Sequence, residues 1–382
     1  MTGPGRADAD ELPVGRRVAR WRVRRRMTQQ MLADRLGKSK SWVDKVERGV
    51  RSLDRYSVVQ EIAEVLRLDP AVLLDARKPP PAAATGLDGI DALRAALAHY
   101  NERPTRTLPA EQVRRHVAHA WLTYQHAHYP QLLRALPALL DAAHTTPALL
   151  VSAYRITASV LVKLGEADLA WLAADRAITA ATGDPIGTGT ATITVTQALR
   201  ALGRDRLALT AAVAATGTAA DHRVRGTLLL QAAIAAAGCG EHRRAEDLTD
   251  HAAMLADRRT STDDPHHTAF GPTTVRLTRF LTALHLGDTT QALDRHEKAI
   301  RHDDWPRLPA EHRAAHLIDA ARAYLDTGDL TAAAHTLTDA HTIAPAEVRY
   351  RPAARTLITD IAQRGAAAAT VARLATLIGL TR

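Results

Sequence analysis

From Pro13 to Met27 the apolar residues Val14, Val18 and Trp21 recur at spacings of four and three, which predicts a helix with one buried face. Its other faces carry Arg16, Arg17, Arg20, Arg22, Arg24, Arg25 and Arg26. The next stretch, TQQMLADRLGKSKSWVDKVERG over residues 28–49, predicts two short helices joined by a tight turn. Thr28 is placed to cap the first, Met31, Leu32 and Leu36 give it an apolar face, and Ala33 lets a second helix approach closely. Gly37 ends it where a left-handed residue is needed. Ser39 caps the second helix, whose Val43 and Val46 face the first. The remaining positions, Lys40, Ser41, Trp42, Asp44, Lys45 and Arg48, are mostly polar and suited to facing a partner. A fourth helix with Ile62, Ala63 and Leu66 and a short fifth over Leu68–Leu74 complete this part. Residues 1–12 read as a disordered lead-in, 13–76 as one domain, and 77–86, RKPPPAAATG from Arg77 on, as a semi-rigid proline spacer.

Residues 87–382 read as one helical domain in which a repeat runs from about Pro109 to Leu380. Gly165, Gly203, Gly240, Gly287 and Gly328 are each followed after five residues by alanine (Ala170, Ala208, Ala245, Ala292, Ala333) and after twelve by another (Ala177, Ala215, Ala252, Ala299, Ala340). Pro130, with Ala135 and Ala142, fits the same offsets as an earlier copy. Glycine makes the turn between two antiparallel helices, and the alanines permit close packing of the second helix. The repeat lengthens between Gly240 and Gly287, where residues 257–272, DRRTSTDDPHHTAFGP, predict a long loop before a helix starting at Pro272. Gly365 lacks both alanines, as a capping pair would. A helix within 87–100 precedes the array.

The first motif, from Gln29 through Glu47-Arg48-Gly49, resembles the Cro/repressor (XRE) helix-turn-helix family, whose second helix enters a DNA major groove. The resemblance implies a five-helix DNA-binding head with contacts from Arg16, Arg17, Thr28, Gln29, Lys38, Ser39, Lys40, Ser41, Trp42, Asp44, Lys45, Arg48 and the loop residue Arg51. The repeats resemble tetratricopeptide repeats, including the later proline at Pro147 and Pro345, although the periods are longer and the large aromatics are mostly missing. The expected fold is therefore all-α, a head followed by a tetratricopeptide-like α-solenoid. The two-part layout is similar to peptide-sensing regulators of Gram-positive bacteria. That similarity implies a homodimer on a two-fold symmetric double-stranded operator and a peptide or small-molecule effector in the repeat groove. Counting back from the turn glycines puts Arg155, Ser159, Gln197, Arg200 and Arg322 at groove-facing offsets, and Tyr124 joins them. Two competing readings stand beside it: a regulator with no small ligand, whose repeats serve only dimerisation or bind another protein, and an interaction scaffold whose repeats bind a protein partner and whose head does not read DNA.

Charge supports the head. Residues 1–78 hold 18 Lys/Arg against 11 Asp/Glu, a net of +7, whereas the other 304 residues carry 32 against 30. A cation joined to a nearly neutral body is the footprint of a small DNA-binding domain on a larger body that does not bind DNA. The competing reading of the arginine-rich first helix is a solvated basic face. The single cysteine, Cys239, excludes a disulfide framework. His116, His119, His126, His128, His266 and His267 show no convergent spacing, so no metal and no cofactor are expected. No phosphate-cradling loop, nucleophile elbow or carboxylate pair appears, and an enzyme is not expected. No apolar run is read as approaching the ~18 residues of a membrane span, which leaves a cytoplasmic protein without membrane contact.

Overall fold

A computed structural model describes residues 14–25, 27–50, 56–66, 73, 89–98, 108–257 and 264–363. The predicted lead-in, Arg51, the fifth helix apart from Leu73, the proline spacer, the first part of the insert and the pair around Gly365 lie outside the described residues. Among the described residues every regular element is a helix. Contacts divide the chain into two units, Met1–Thr85 and Gly86–Arg382.

The first unit contains α1 (Val14–Arg24), α2 (Gln29–Arg35), α3 (Lys40–Glu47) and α4 (Tyr56–Leu66). Val18, Leu32, Ala33, Val43, Val59, Ile62, Ala63, Leu66 and Leu73 form its core. Both predicted caps form: the Thr28 hydroxyl accepts from the Met31 amide and that of Ser39 from the Trp42 amide, each at 3.1 Å. Gly37 holds φ +61°, and the Lys38 amide donates back to the Ala33 carbonyl at 2.9 Å, closing a Schellman turn. Met31 does not join the apolar face. It is 43% exposed, because a period of 3.6 groups Leu32, Ala33 and Leu36 and turns position 31 outward. Gly15 is where α1 meets α3, and a Cβ there would lie 1.9 Å from the Val46 carbonyl oxygen.

The second unit begins with α5 (Ile90–Ala98) and continues as antiparallel pairs. These are α6 (Ala110–Gln125) with α7 (Tyr129–Ala143), α8 (Pro147–Leu164) with α9 (Ala167–Ala180), and α10 (Pro185–Ala201) with α11 (Asp205–Thr216). Then come α12 (His222–Gly238) with α13 (His242–Ala256), α14 (Pro272–His285) with α15 (Thr289–Ile300), α16 (Ala310–Asp326) with α17 (Leu330–Ile343), and α18 (Pro345–Tyr350) with α19 (Pro352–Gln363). The five turn glycines hold φ between +68° and +87°. After each, an amide donates back into the last turn of the preceding helix, as from Glu166 to Leu161 at 3.0 Å and from Arg204 to Leu199 at 2.8 Å. The alanines five residues on are all buried. Those twelve on are buried as well, save Ala215, which is half-buried.

Pro130 is not the turn residue of the first pair. That place belongs to Ala127, at φ +58° with the His128 amide donating to the Thr123 carbonyl at 2.9 Å. Pro130 lies inside α7 and Ala135 is exposed, so the true register is three residues earlier. The expectation about membrane-length segments also needs correcting. α8 is long and apolar enough to cross a bilayer by length and composition, and 67% of it is buried within the array. Its apolar surface is core.

The array turns back until its last helices touch its first. Lys163, near the end of α8, reaches Glu311 on α16 at 2.7 Å and Glu347 on α18 at 3.0 Å. The Tyr129 hydroxyl donates to Glu347 across 218 residues of sequence, and Arg351 lies 3.4 Å from Glu347 and 3.7 Å from Asp319. Burial alone would raise the Glu347 carboxyl, but Lys163 and Arg351 together hold it below the ordinary carboxylate range. Burial would likewise lower Lys163, yet the two glutamates hold it above its ordinary value. Gly165 belongs to the same junction, since a Cβ there would lie 2.7 Å from Pro352 Cγ.

Two outcomes follow from this junction. Gly203 has open space around it at φ +68°, so Gly203→Ala should cost about 1 kcal/mol in urea unfolding from backbone strain alone. Gly165→Ala carries the same strain plus the Pro352 clash and should cost clearly more; equal costs would show that the closure contributes nothing. Because the folded pKa of Glu347 is depressed, its contribution is present above the ordinary carboxylate pKa and lost as pH falls through the folded value. Glu347→Gln should therefore lower stability by roughly 3–5 kcal/mol at pH 7 and flatten the acid limb of a stability–pH curve.

Candidate nucleic-acid interface and concave cavity

In the first unit the turn and its caps fix the direction of α3, and one face of that helix stays in solvent. Lys40, Ser41, Lys45 and Arg48 are exposed there, with Lys38 and Ser39 at its start and Arg16 exposed on α1. Arg48 is paired along the helix with half-buried Asp44 at 2.5 Å. Thr28 and Ser39 use their hydroxyls as caps. Arg17 lies on α1, and Arg51 lies outside the described residues.

Two residues read from sequence as facing a partner, Trp42 and Gln29, point elsewhere, and Arg22 joins them. Trp42 is half-buried and packs against the head's core. Gln29 donates through its amide to Glu47 at 2.8 Å. Arg22, counted with the basic faces of α1, forks onto the same carboxylate at 2.6 and 2.9 Å and donates to the Met27 carbonyl at 2.7 Å. The hydrogen bonds it donates to Glu47 hold the guanidinium above its ordinary pKa against the opposing effect of burial. Glu47 itself is 5% exposed. One carboxylate thus ties α1 and α2 to the end of α3. The sequence signal for it was a glutamate one helical turn beyond the core position Val43, at a site that a solvent-facing residue would not need.

In the second unit the first helices of successive pairs surround a cavity of about 190 Å³. Tyr124, Arg155, Ser159 and Gln197 all line it, from α6, α8 and α10. Arg200 and Arg322 do not. Arg200 donates to Gln231 at 3.0 Å, and Arg322 pairs with Asp360 on α19 at 2.7 Å. Counting from turn glycines places the helix positions but not their partners, and each of these two arginines is tied to a side chain of the next helix pair.

The cavity's opposite wall carries Glu311, His312, His316 and Asp319 from α16. His316 Nε2 lies 2.9 Å from His296 Nδ1, and Phe280 packs edge-on against the His316 ring. Burial pushes both imidazoles down, with His296 adding to the effect on His316, so the pair is neutral. Arg155 is 5% exposed and burial lowers it to about 10, still protonated at neutral pH. Among the described residues no group of three or more His, Cys, Asp or Glu is arranged to hold a metal ion.

Sequence reasoning missed the insert's part in this cavity. His267, Thr268 and Ala269 line it. The His267 ring stacks on Trp121 at 4.7 Å with an interplanar angle of 18°, and the His266 carbonyl accepts from Arg155 at 2.9 Å. The available signal was the 47-residue spacing between Gly240 and Gly287.

Comparison with known proteins agrees with the head. Residues 13–76 match the helix-turn-helix domain family, and they form such a domain. No curated protein matches the chain. Among solved structures, that of Bacillus thuringiensis PlcR in complex with the peptide PapR7 and DNA aligns over 86% of this chain and 94% of that one, at 11% identity and a TM-score of 0.38.

Glu47 supplies a direct test of the head's architecture. Glu47→Ala leaves Arg22 buried without its partner and should destabilise the first unit by about 3 kcal/mol or more. The far-ultraviolet melt of the full chain should show an early helical transition, while the larger transition of the repeats stays in place. A single unshifted melt would rule out the lock.

Proposed function

We propose that this chain is a cytoplasmic, sequence-specific DNA-binding transcription regulator and not an enzyme. The observation that carries the reading is the exposed face of α3, where Lys40, Ser41, Lys45 and Arg48 are exposed on a helix capped by Ser39 and tied at its far end by a buried carboxylate. The match of residues 13–76 to the helix-turn-helix family supports the same reading. A single such head covers one half-site, so useful specificity calls for a homodimer on a two-fold operator, joined through the repeats. The concave cavity then takes the effector, a peptide or small molecule, with Tyr124, Arg155, Ser159 and Gln197 as its contacts. The scaffold alternative is disfavoured by the same exposed cationic face, which a head without DNA has no need to keep free.

Lys40 decides between reading bases and holding phosphates. Lysine has only donors, so at the first turn of α3 it should prefer guanine, which offers O6 and N7 in the major groove. Lys40→Gln should then cost roughly 1–3 kcal/mol on the selected operator and shift preference at one position per half-site towards adenine. Selection from a random DNA pool, run on both proteins, makes the comparison. If the logos superimpose and the salt slope drops by about one, Lys40 holds a phosphate. If neither protein selects a sequence, the regulator reading fails.

A further inference from the structure

His267, Thr268 and Ala269 of the segment 264–271 line the cavity. Phe270 anchors the segment by lying flush on α12: a Cβ on Gly226 would fall 2.1 Å from the Phe270 ring. Asp264 folds it, accepting from the Thr268 hydroxyl at 3.1 Å and the Ala269 amide at 2.7 Å. The tip is strained. His267 and Ala269 hold φ of +52° and +50°, a region that residues other than glycine adopt at a cost. That strain is offset by what the tip reaches, namely the Trp121 face and the Arg155 guanidinium.

The receiving side is prepared for something else. Trp121 is locked by a hydrogen bond from its indole nitrogen to Ser152 at 2.9 Å. Arg155 lies with its Cζ 5.2 Å from the Trp121 ring centroid, so ring and cation form one surface. The Arg155 Nε has no hydrogen-bond partner, and the contact that its Nη2 makes is to a neutral carbonyl. Asp264 raises the Arg155 pKa at a distance but keeps both of its oxygens within its own loop. A buried guanidinium with an unpaired Nε is matched by a carboxylate, which takes two of its N–H groups at once.

We infer that the cavity binds a small arylalkanoate, with its ring on Trp121 and its carboxylate on Arg155, and that His266 and His267 hold those two places in the empty protein. The covalent path sets the ligand's length. The His266 carbonyl carbon is separated from the His267 ring by the amide nitrogen, Cα and Cβ, and 4-phenylbutyrate places three methylenes between carboxylate and ring. Ligand entry displaces the tip and relieves its strain, which couples occupancy to the loop between α13 and α14. This inference rests on the reading of the cavity as the effector site.

The test is calorimetric titration of the full-length protein with 4-phenylbutyrate, its primary amide, butyrate, and a tetrapeptide ending in phenylalanine. The acid should bind at one site, and the amide and butyrate should each bind at least about tenfold more weakly. His267→Ala removes the competing ring and should tighten binding of the acid by about threefold to tenfold. Arg155→Lys keeps the charge but loses the fork and should weaken it by about tenfold; if that variant does not fold, His267→Ala still decides. Equal binding of acid and amide, unchanged affinity in His267→Ala, or binding of the tetrapeptide alone would each overturn the proposal. Operator selection on the same preparation separates the two readings. A clear operator without binding of the acid removes only this inference, whereas binding of the acid without an operator leaves the site and removes the regulator.

Discussion

The ammonium of Lys163, held between Glu311 and Glu347, closes the repeat array on itself, and much of the second unit follows from it. Helical repeats ordinarily touch only their neighbours, so their stability is a sum of local terms. Here a contact spans the array from α8 to α16 and α18. Taking these charges out of water is costly, and only mutual pairing with further hydrogen bonds offsets that cost. Tyr129 and Arg351 supply those bonds. An apolar seam between first and last helices could slide by a turn, whereas this arrangement admits one register. It also explains α8, which is buried on nearly every face and has the composition of a membrane segment without being exposed to one.

The repeat was legible because its signal is steric and local. A turn residue at positive φ must be glycine or carry a cost, and the close-packed position after it must be small, so both survive in an otherwise diverged array. The first pair escaped for the same reason. Ala127 accepts the cost of a left-handed alanine, and an alanine there looks like any other in a chain rich in them, so Pro130 three residues on drew the register away. The closure was not legible at all. Its partners are ordinary lysine, glutamate and tyrosine residues up to 218 positions apart, with no pattern to join them. α10 shows a related limit. Its run of Thr190, Thr192, Thr194 and Thr196 disfavours a helix by propensity, yet each hydroxyl donates to a carbonyl in the preceding turn and tertiary packing decides.

In the head, polar residues divide between two tasks that composition cannot separate. Arginines on α1 look alike in sequence, but Arg22 turns inward to Glu47 while Arg16 stays in solvent. The inward set has a mechanical consequence. Glu47 ends α3, and its bonds to Arg22 and Gln29 make the orientation of that helix depend on α1 and on the start of α2. A helix that reads bases must be held to within a fraction of an ångström, and a caps-only arrangement would leave its far end free to fray. The buried carboxylate removes that freedom at the end where the caps cannot act.

The insert follows from the same division between regular scaffold and irregular function. The helices around the cavity supply its fixed groups, among them Trp121, Arg155, Gln197 and Glu311. A further ring and a carbonyl enter where the repeat is broken, in the segment that lengthens one period and brings the His267 ring to Trp121 and the His266 carbonyl to Arg155. A loop with no task in the cavity would relax its tip and leave Trp121 and Arg155 to water. Instead it keeps two residues other than glycine at positive φ and gives a buried cation only a neutral acceptor. Strain held on one side and an unpaired donor on the other define a contact that is made but not optimal. Such a contact yields to a ligand with an aromatic ring at the same place and a full negative charge, because the ligand satisfies the donor and releases the strain together.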